Sequence, residues 1–308
     1  MGLWIQLVDA THYGLSNQRS VADEAKTSDP LHGNHSPRPD TDGSEGTAMA
    51  QCAPMGWNPQ QYLKFGGERL RPAHDLLARV TLEAPGHIVD LGCGTGAVTA
   101  LLSARWPDAR IVGVDNSKPM LERARIALPN VAWKLNDLAD WTPAVPVDLL
   151  VSNAALHWLD DHATLFPRLL SHLRPGGVLA VQMPAQYDAP SHQIGYDLAE
   201  STLWRDRLQG LVRRRPILEA HEYYSLLRPQ VSSLDLWFTE YVQALTGDNP
   251  VAEFAKGSFV GAWLSALSAD EARDFELDYR QRIASAYPAC SDGVTLFPFR
   301  RFFLVAQR

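Results

Sequence analysis

From about residue 84 onward, short apolar runs alternate with stretches whose apolar residues recur at helical spacing. His87-Ile88-Val89-Asp90-Leu91 reads as a strand, followed by a glycine-rich turn and a helix over Ala97–Arg105. Next come strand Arg110–Val114, helix Pro119–Leu128 with its proline placed to open it, and strand Val131–Leu135. Val147–Ser152 reads as a fully buried strand, then helix Asp161–Leu173 and strand Val178–Met183. Strands alternating with helices predict a parallel sheet covered on both faces. Two further helices are expected upstream, around Pro59–Phe65 and over Pro72–Val80, with Pro72 in a first turn.

The C-terminal part has a different texture. Helical, aromatic-rich segments at about 190–228 and 249–287 flank two long strand candidates, Leu234–Ala244 and Thr295–Ala306. This predicts an open α/β sheet closed by an antiparallel, hairpin-like edge, with helices inserted as a lid. The expected division is a core over 84–185 and a helical lid with C-terminal strands over 186–308, within one domain of residues 55–308. Residues 16–54 are rich in Ser, Asp, Gly, Pro and His, and such a segment buries too little surface to offset its ordering entropy. Residues 1–54 are therefore expected to be a disordered leader, with Met55 a candidate start.

Composition narrows the class without choosing a function. The 308 residues are 45% hydrophobic and 20% charged, as in ordinary globular proteins that need no staples. Cys52, Cys93 and Cys290 lie far apart and lack metal-ligand spacing, so no metal is expected and a reducing cytoplasm fits. No run approaches the roughly 20 apolar residues of a membrane-spanning helix, and a net charge of −7 argues against a broad nucleic-acid-binding surface. The basic run Arg213-Arg214-Arg215 reads as decoration of a solvated helix end.

The chemistry centres on Asp90-Leu91-Gly92-Cys93-Gly94-Thr95-Gly96, between a strand and a helix. Its glycines allow close backbone approach to a ligand at the carboxyl edge of the sheet, but they also satisfy a dinucleotide fingerprint. Asp90 separates the two readings. A carboxylate there repels a pyrophosphate and suits S-adenosylmethionine, which carries an ammonium and a sulfonium. Asp115 after the second strand can accept ribose hydroxyls, with Asn116 and Met120 beside it. After the third strand Asp137 can accept from an adenine amino group with Leu138 on the ring, and Asn153 ends the fourth strand near the donor methyl.

These residues resemble the class I S-adenosylmethionine-dependent methyltransferases, and within them the trans-aconitate 2-methyltransferase family. The more specific likeness lies in Trp57-Asn58-Pro59-x-x-Tyr62-Leu63-x-Phe65, Glu68-Arg69-x-Arg71-Pro72, Asn153-Ala154-x-Leu156-x-Trp158, Gly177 to Pro184, His221-x-Tyr223-Tyr224 and Phe297-Pro298. Thr95 stands where the family is expected to have proline, and His157 where glutamine is common. The resemblance implies a Rossmann-like, seven-stranded, mostly parallel sheet with helices on both faces and esterification of one carboxyl of trans-aconitate.

A carboxylate acceptor, with a pKa of about 4, is already ionised and needs no general base. Alignment, water exclusion and arginine forks for the other carboxylates are what such a site requires. Candidates for gripping a small polycarboxylic acid are Arg69, Arg71, Arg300 and Arg301, with Tyr62, Tyr223 and Tyr224 as hydroxyl donors. His157 can orient substrate, and Trp158 can pack on cofactor or sheet. Methylation of another small acid or of a hydroxyl with His157 as base stays open, as does a non-catalytic S-adenosylmethionine sensor. A base-modifying enzyme would need an Asn/Asp-Pro-Pro-aromatic turn where this chain has Asn153-Ala154-Ala155-Leu156. A monomer in the cytoplasm is expected.

Overall fold

The computed structural model describes residues 66–214 and 217–308. The expected leader, the helix at Pro59–Phe65, Tyr62, the Arg69 side chain and Arg215 lie outside the described residues. After helix α1 (Gly66–Ala78), the core unrolls as β1 (His87–Leu91), α2 (Ala97–Arg105), β2 (Arg110–Asp115), α3 (Lys118–Ala127), β3 (Ala132–Leu135), β4 (Val147–Asn153), α4 (His162–Ser171) and β5 (Leu173–Pro184). Then follow α5 (Pro190–Ala199), the short α6 (Arg205–Leu208), α7 (Ala220–Leu227) and β6 (Ser233–Leu245). Helices α8 (Pro250–Lys256), α9 (Phe259–Ala266) and α10 (Ala269–Ala286) precede β7 (Thr295–Gln307).

The seven strands form one sheet in the order β3-β2-β1-β4-β5-β7-β6. Neighbours from β3 to β5 pair in parallel, while β7 is antiparallel to both β5 and β6. The order reverses between β1 and β4, and ligands of open α/β sheets sit outside the strand carboxyl ends at such a switch point.

Strand alternation explains why both faces are dry. Val89, Leu91, Val114, Leu150 and Leu179 pack with Phe166 and Leu169 of α4. Ile88, Ile111, Leu149 and Val151 pack on the other face with Leu76 of α1 and Leu102 of α2. Asp148, a buried acid in the apolar β4, accepts from the Gly86 and His87 amides at 2.6 and 2.8 Å and pairs with Arg174. Its charge is thus met at the amino edge, away from the switch point.

One sequence expectation needs correction. Pro72 lies inside α1 rather than in a first turn, because the helix already runs from Gly66. Proline removes one N–H donor from the ladder there. The neighbouring Ala73 and Leu76 are wholly buried, so packing of this face outweighs the missing bond.

The pairing of β5 with β7 stops at Pro184↔Arg301, so the first residues of β7 extend past the end of β5, paired with β6 alone. Phe297 and Phe299 on this projection pack with Phe254, Trp263 and Phe275 in a separate aromatic core. That core holds α5, α8, α9 and α10 at the carboxyl edge of the sheet.

Candidate active site

β1 leads into the glycine turn, which is left-handed at Gly92, Gly94 and Gly96 with φ of 75°, 56° and 85°. Its amides turn inward. Gly92 N and Cys93 N both donate to Val114 O, at 2.8 and 3.1 Å, and Gly94 N donates to Asp115 Oδ2 at 2.8 Å. Amides spent in this way are not offered to a pyrophosphate.

Beneath the turn, Asp90 is buried and accepts a 2.6 Å hydrogen bond from Thr99 Oγ1. Burial, with the nearby Asp115 adding to it, pushes its carboxyl up to about 7. Burial also raises Asp115, whose oxygens accept from Ser117 N and Gly94 N at 2.8 Å each. The Cys93 thiol is driven upward by burial and by the same two acids, so it stays protonated. Two carboxyls held near one another in low dielectric favour a cation between them and disfavour an anion.

Along the same edge, Asn116 is exposed, Met120 is buried, and Asp137 is half-buried with Oδ1 accepting from Ala139 N at 2.9 Å. Leu138 is buried beside it. Asn153 ends β4, and its Oδ1 is buried without a hydrogen-bond partner. Gln182, its register partner on β5, leaves both amide atoms unpaired. Buried polar atoms left open side by side mark a place where a ligand group completes the bonding.

Beyond β4 and β5 lies a cavity of about 130 Å³. His157, Trp158, Tyr187, Ser191, His192 and Arg213 are among its polar lining, and Phe254, Phe259, Trp263, Phe297 and Phe299 are among its aromatic walls. His157 is held neutral: burial pushes its pKa down to about 3, and Arg301 and Arg213 nearby add to the effect. A wider cleft of about 380 Å³ lies between Asp160, Arg213, Arg214 and Leu218, with no strand end among its lining residues.

A methyltransferase domain model matches residues 88–177, the stretch from β1 into β5. The chain is 50% identical to a trans-aconitate 2-methyltransferase of Azoarcus over 82% of this chain and 99% of that protein. It is 47% identical to one of Streptomyces coelicolor over 84% of this chain and 89% of that protein. The chain belongs to the trans-aconitate 2-methyltransferase family. It is therefore an S-adenosylmethionine-dependent methyltransferase. Its fold is similar to that of YcgJ from Bacillus subtilis, at 14% identity and a TM-score of 0.50 over 77% of this chain and 98% of that one.

With the family in hand, the sequence-predicted residues sort by place. The glycine turn, Asp90, Asp115, Asp137 and Asn153 gather at one sheet edge, and His157 and Trp158 line the cavity. Arg301 is buried on β7 with its guanidinium 4.3 Å from the Phe299 ring centroid. Four others lie elsewhere. Arg71 is exposed and covers Tyr241 of the edge strand β6, and Arg300 is exposed over Phe238. Tyr224 is half exposed. Tyr223 is fully buried, stacked on Phe302, with its hydroxyl bonded to His162 Nδ1.

Tyr223 is thus a core residue whose helical spacing outweighs its hydroxyl. Tyr223→Phe is expected to cost about 1–3 kcal/mol through the unpaired imidazole, with KM unchanged. Urea unfolding together with steady-state kinetics checks this, and a raised KM at wild-type stability would return Tyr223 to the site.

Arg213 corrects the reading of the basic run. It ends no helix: its guanidinium donates to Trp158 O at 3.0 Å and Leu159 O at 3.2 Å and pairs with Asp160. Arg214 pairs with Asp197 and Glu200 instead. Tyr187, His192 and Tyr196 also line the cavity, though no local sequence pattern singles them out. They follow the fifth strand, and only the placement of α5 over the strand ends reveals them.

Proposed function

We propose that this chain transfers a methyl group from S-adenosylmethionine to one carboxylate of trans-aconitate, leaving a monomethyl ester and S-adenosylhomocysteine. The observation that carries this is half-identity across nearly the full length of a relative bearing that name, together with a small cavity beside the end of β4. Bound, the donor supplies an electrophilic methyl on a sulfonium. Asp90, Gly92, Cys93, Gly94 and Gly96 would hold its amino-acid end, Asp115 with Asn116 and Met120 its ribose, and Asp137 with Leu138 its adenine. Asn153 would face the donor methyl. The paired raised carboxyls and the open Asn153 Oδ1 fit a cationic ligand.

The chain's own residues have little proton chemistry to perform. The acceptor is ionised on arrival, and a histidine that takes up a proton only near pH 3 makes a poor base for a hydroxyl acceptor. What remains is alignment and the exclusion of water, which the aromatic walls provide. The same reading describes a monomeric, cytoplasmic enzyme acting on a free acid, with no nucleic-acid role. Among the described residues no helix is long and apolar enough to cross a membrane.

The test is turnover with trans-aconitate, cis-aconitate, isocitrate and citrate, each with S-adenosylmethionine, read as S-adenosylhomocysteine and ester mass. Trans-aconitate is expected to exceed the other three by at least tenfold. Donor binding without turnover of any acid would discard the substrate and leave the family and cofactor standing.

A further inference from the structure

The active-site cavity contrasts with a protein net charge of −7: among the described residues its lining holds no aspartate or glutamate. Arg213 lines it directly. Arg301, buried on β7 next to the lining residue Phe299, acts electrostatically on both His157 and Tyr187, and so does Arg213. Two guanidinium groups therefore bear on the same two side chains. Those side chains carry open valences: His157 Nδ1 and the Tyr187 hydroxyl are both buried without a hydrogen-bond partner. Buried polar atoms are rarely left so unless a ligand completes them.

Building on the carboxyl-methylation reading, we propose that Arg213 and Tyr187 determine acid specificity, gripping, with Arg301 and the His157 ring, the acceptor carboxylates that are not methylated. Arg213 is suited to this. Of its five donors, those bonded to the Trp158 and Leu159 carbonyls fix the planar group against the turn that follows β4. Asp160, whose side chain is 88% exposed, partners it from the solvent side. An exposed partner costs little to exchange, and a substrate carboxylate in the drier cavity makes the stronger charge-assisted fork. The neutral Tyr187 hydroxyl and imidazole then donate to oxygens the arginines do not reach. Apolar walls on the remaining sides suit the flat unsaturated skeleton joining the carboxylates.

The experiment pairs enzyme variants with a tri-acid and with a mono-acid that lacks the two carboxylates to be gripped. Wild type, Arg213→Met, Arg213→Lys and Tyr187→Phe are assayed at saturating S-adenosylmethionine with trans-aconitate and with crotonate, a mono-acid on a similar skeleton. Arg213→Met is expected to raise KM for trans-aconitate about 10–100-fold, with crotonate altered less than about threefold. Arg213→Lys recovers part of the loss, and Tyr187→Phe raises KM for the tri-acid alone by about fivefold. Donor affinity, measured by calorimetry, stays at the wild-type value. An equal loss on both acids, or a change confined to kcat, overturns the grip and leaves Arg213 as a strap for the Trp158–Leu159 turn.

Should Arg213→Met fail to fold by circular dichroism, Tyr187→Phe and Arg213→Lys decide on the same criterion. A separate arm keeps the two proposals apart. Calorimetric binding of trans-aconitate to the S-adenosylhomocysteine complex that Tyr187→Phe weakens, with no turnover by wild type, would retain the grip and reject the reaction. Absence of any such binding by wild type rejects the grip.

Discussion

Asp90→Asn is expected to make the ligand-free protein more stable above pH 7 while weakening S-adenosylmethionine binding by about a hundredfold. The two effects have one origin. Asp90 is 1% exposed, and its carboxyl is raised from 3.8 to about 7 chiefly by burial. Because the folded-state value lies above the unfolded one, the unfolded chain ionises first as pH rises. Stability is therefore lost from about pH 4 to about pH 7 and is flat beyond it. At 1.36 kcal/mol per unit, the whole effect is about 4 kcal/mol as an upper limit. The isosteric amide removes that cost while its oxygen still accepts from Thr99.

The proposed cationic ligand reverses the balance, since an ammonium beside the site favours the ionised acid. Binding near pH 6–7 should then release a proton from the wild type and none from the variant. Thermal melts at pH 5 and 8, with calorimetry in buffers of different ionisation enthalpy, read both halves. Ligand-free wild type equally stable at the two pH values would sink the argument.

The sheet was legible because its signals are local. Each strand from β1 to β5 is an apolar run closed by a turn, and Asp90, Asp115 and Asn153 stand at strand ends whichever way the lid folds. Boundaries shifted at several elements: β5 starts at Leu173 rather than Val178, and α1 runs through Pro72, where two wholly buried neighbours outweigh a missing N–H. Which arginines and tyrosines come near the cavity was not legible, for a physical reason. Arginine and tyrosine look the same in sequence whether they grip a ligand, strap a turn or fill a core, and the register of β7 alone separates Arg301 from Arg300. One residue further along the strand changes the face of the sheet. Arg301 is buried toward His157, while Arg300 lies exposed on Phe238. Arg213 lies 56 positions after His157, with β5 and α5 between them, so no local pattern could join them.

Gly92→Ala should damage the enzyme more than any other change within the glycine turn, and the cause can be isolated. The residue has φ of 75°, which costs an L-residue about 1–2 kcal/mol. A Cβ there would stand 2.1 Å from Ala155 Cβ and 3.4 Å from Leu138 Cδ1. The first contact cannot be relieved by a rotamer, because both atoms are fixed to backbone. Either the glycine turn or the turn after β4 must move. The second of these carries Asn153 at one end and His157 at the other, so one methyl displaces both the donor edge and the acceptor pocket. Loss of kcat/KM by at least about a thousandfold is expected, with donor and acceptor both affected. Gly94→Ala is the control for backbone strain alone: φ is 56°, and its Cβ would meet nothing nearer than Met120 Cε at 3.8 Å. Melting of the ligand-free proteins should therefore show Gly92→Ala well below Gly94→Ala. Adding Ala155→Gly to Gly92→Ala removes the collision but not the φ penalty, and should return the melting temperature to near that of Gly94→Ala. If the double variant stays as low as the single one, the close approach of the two turns is not what this glycine provides.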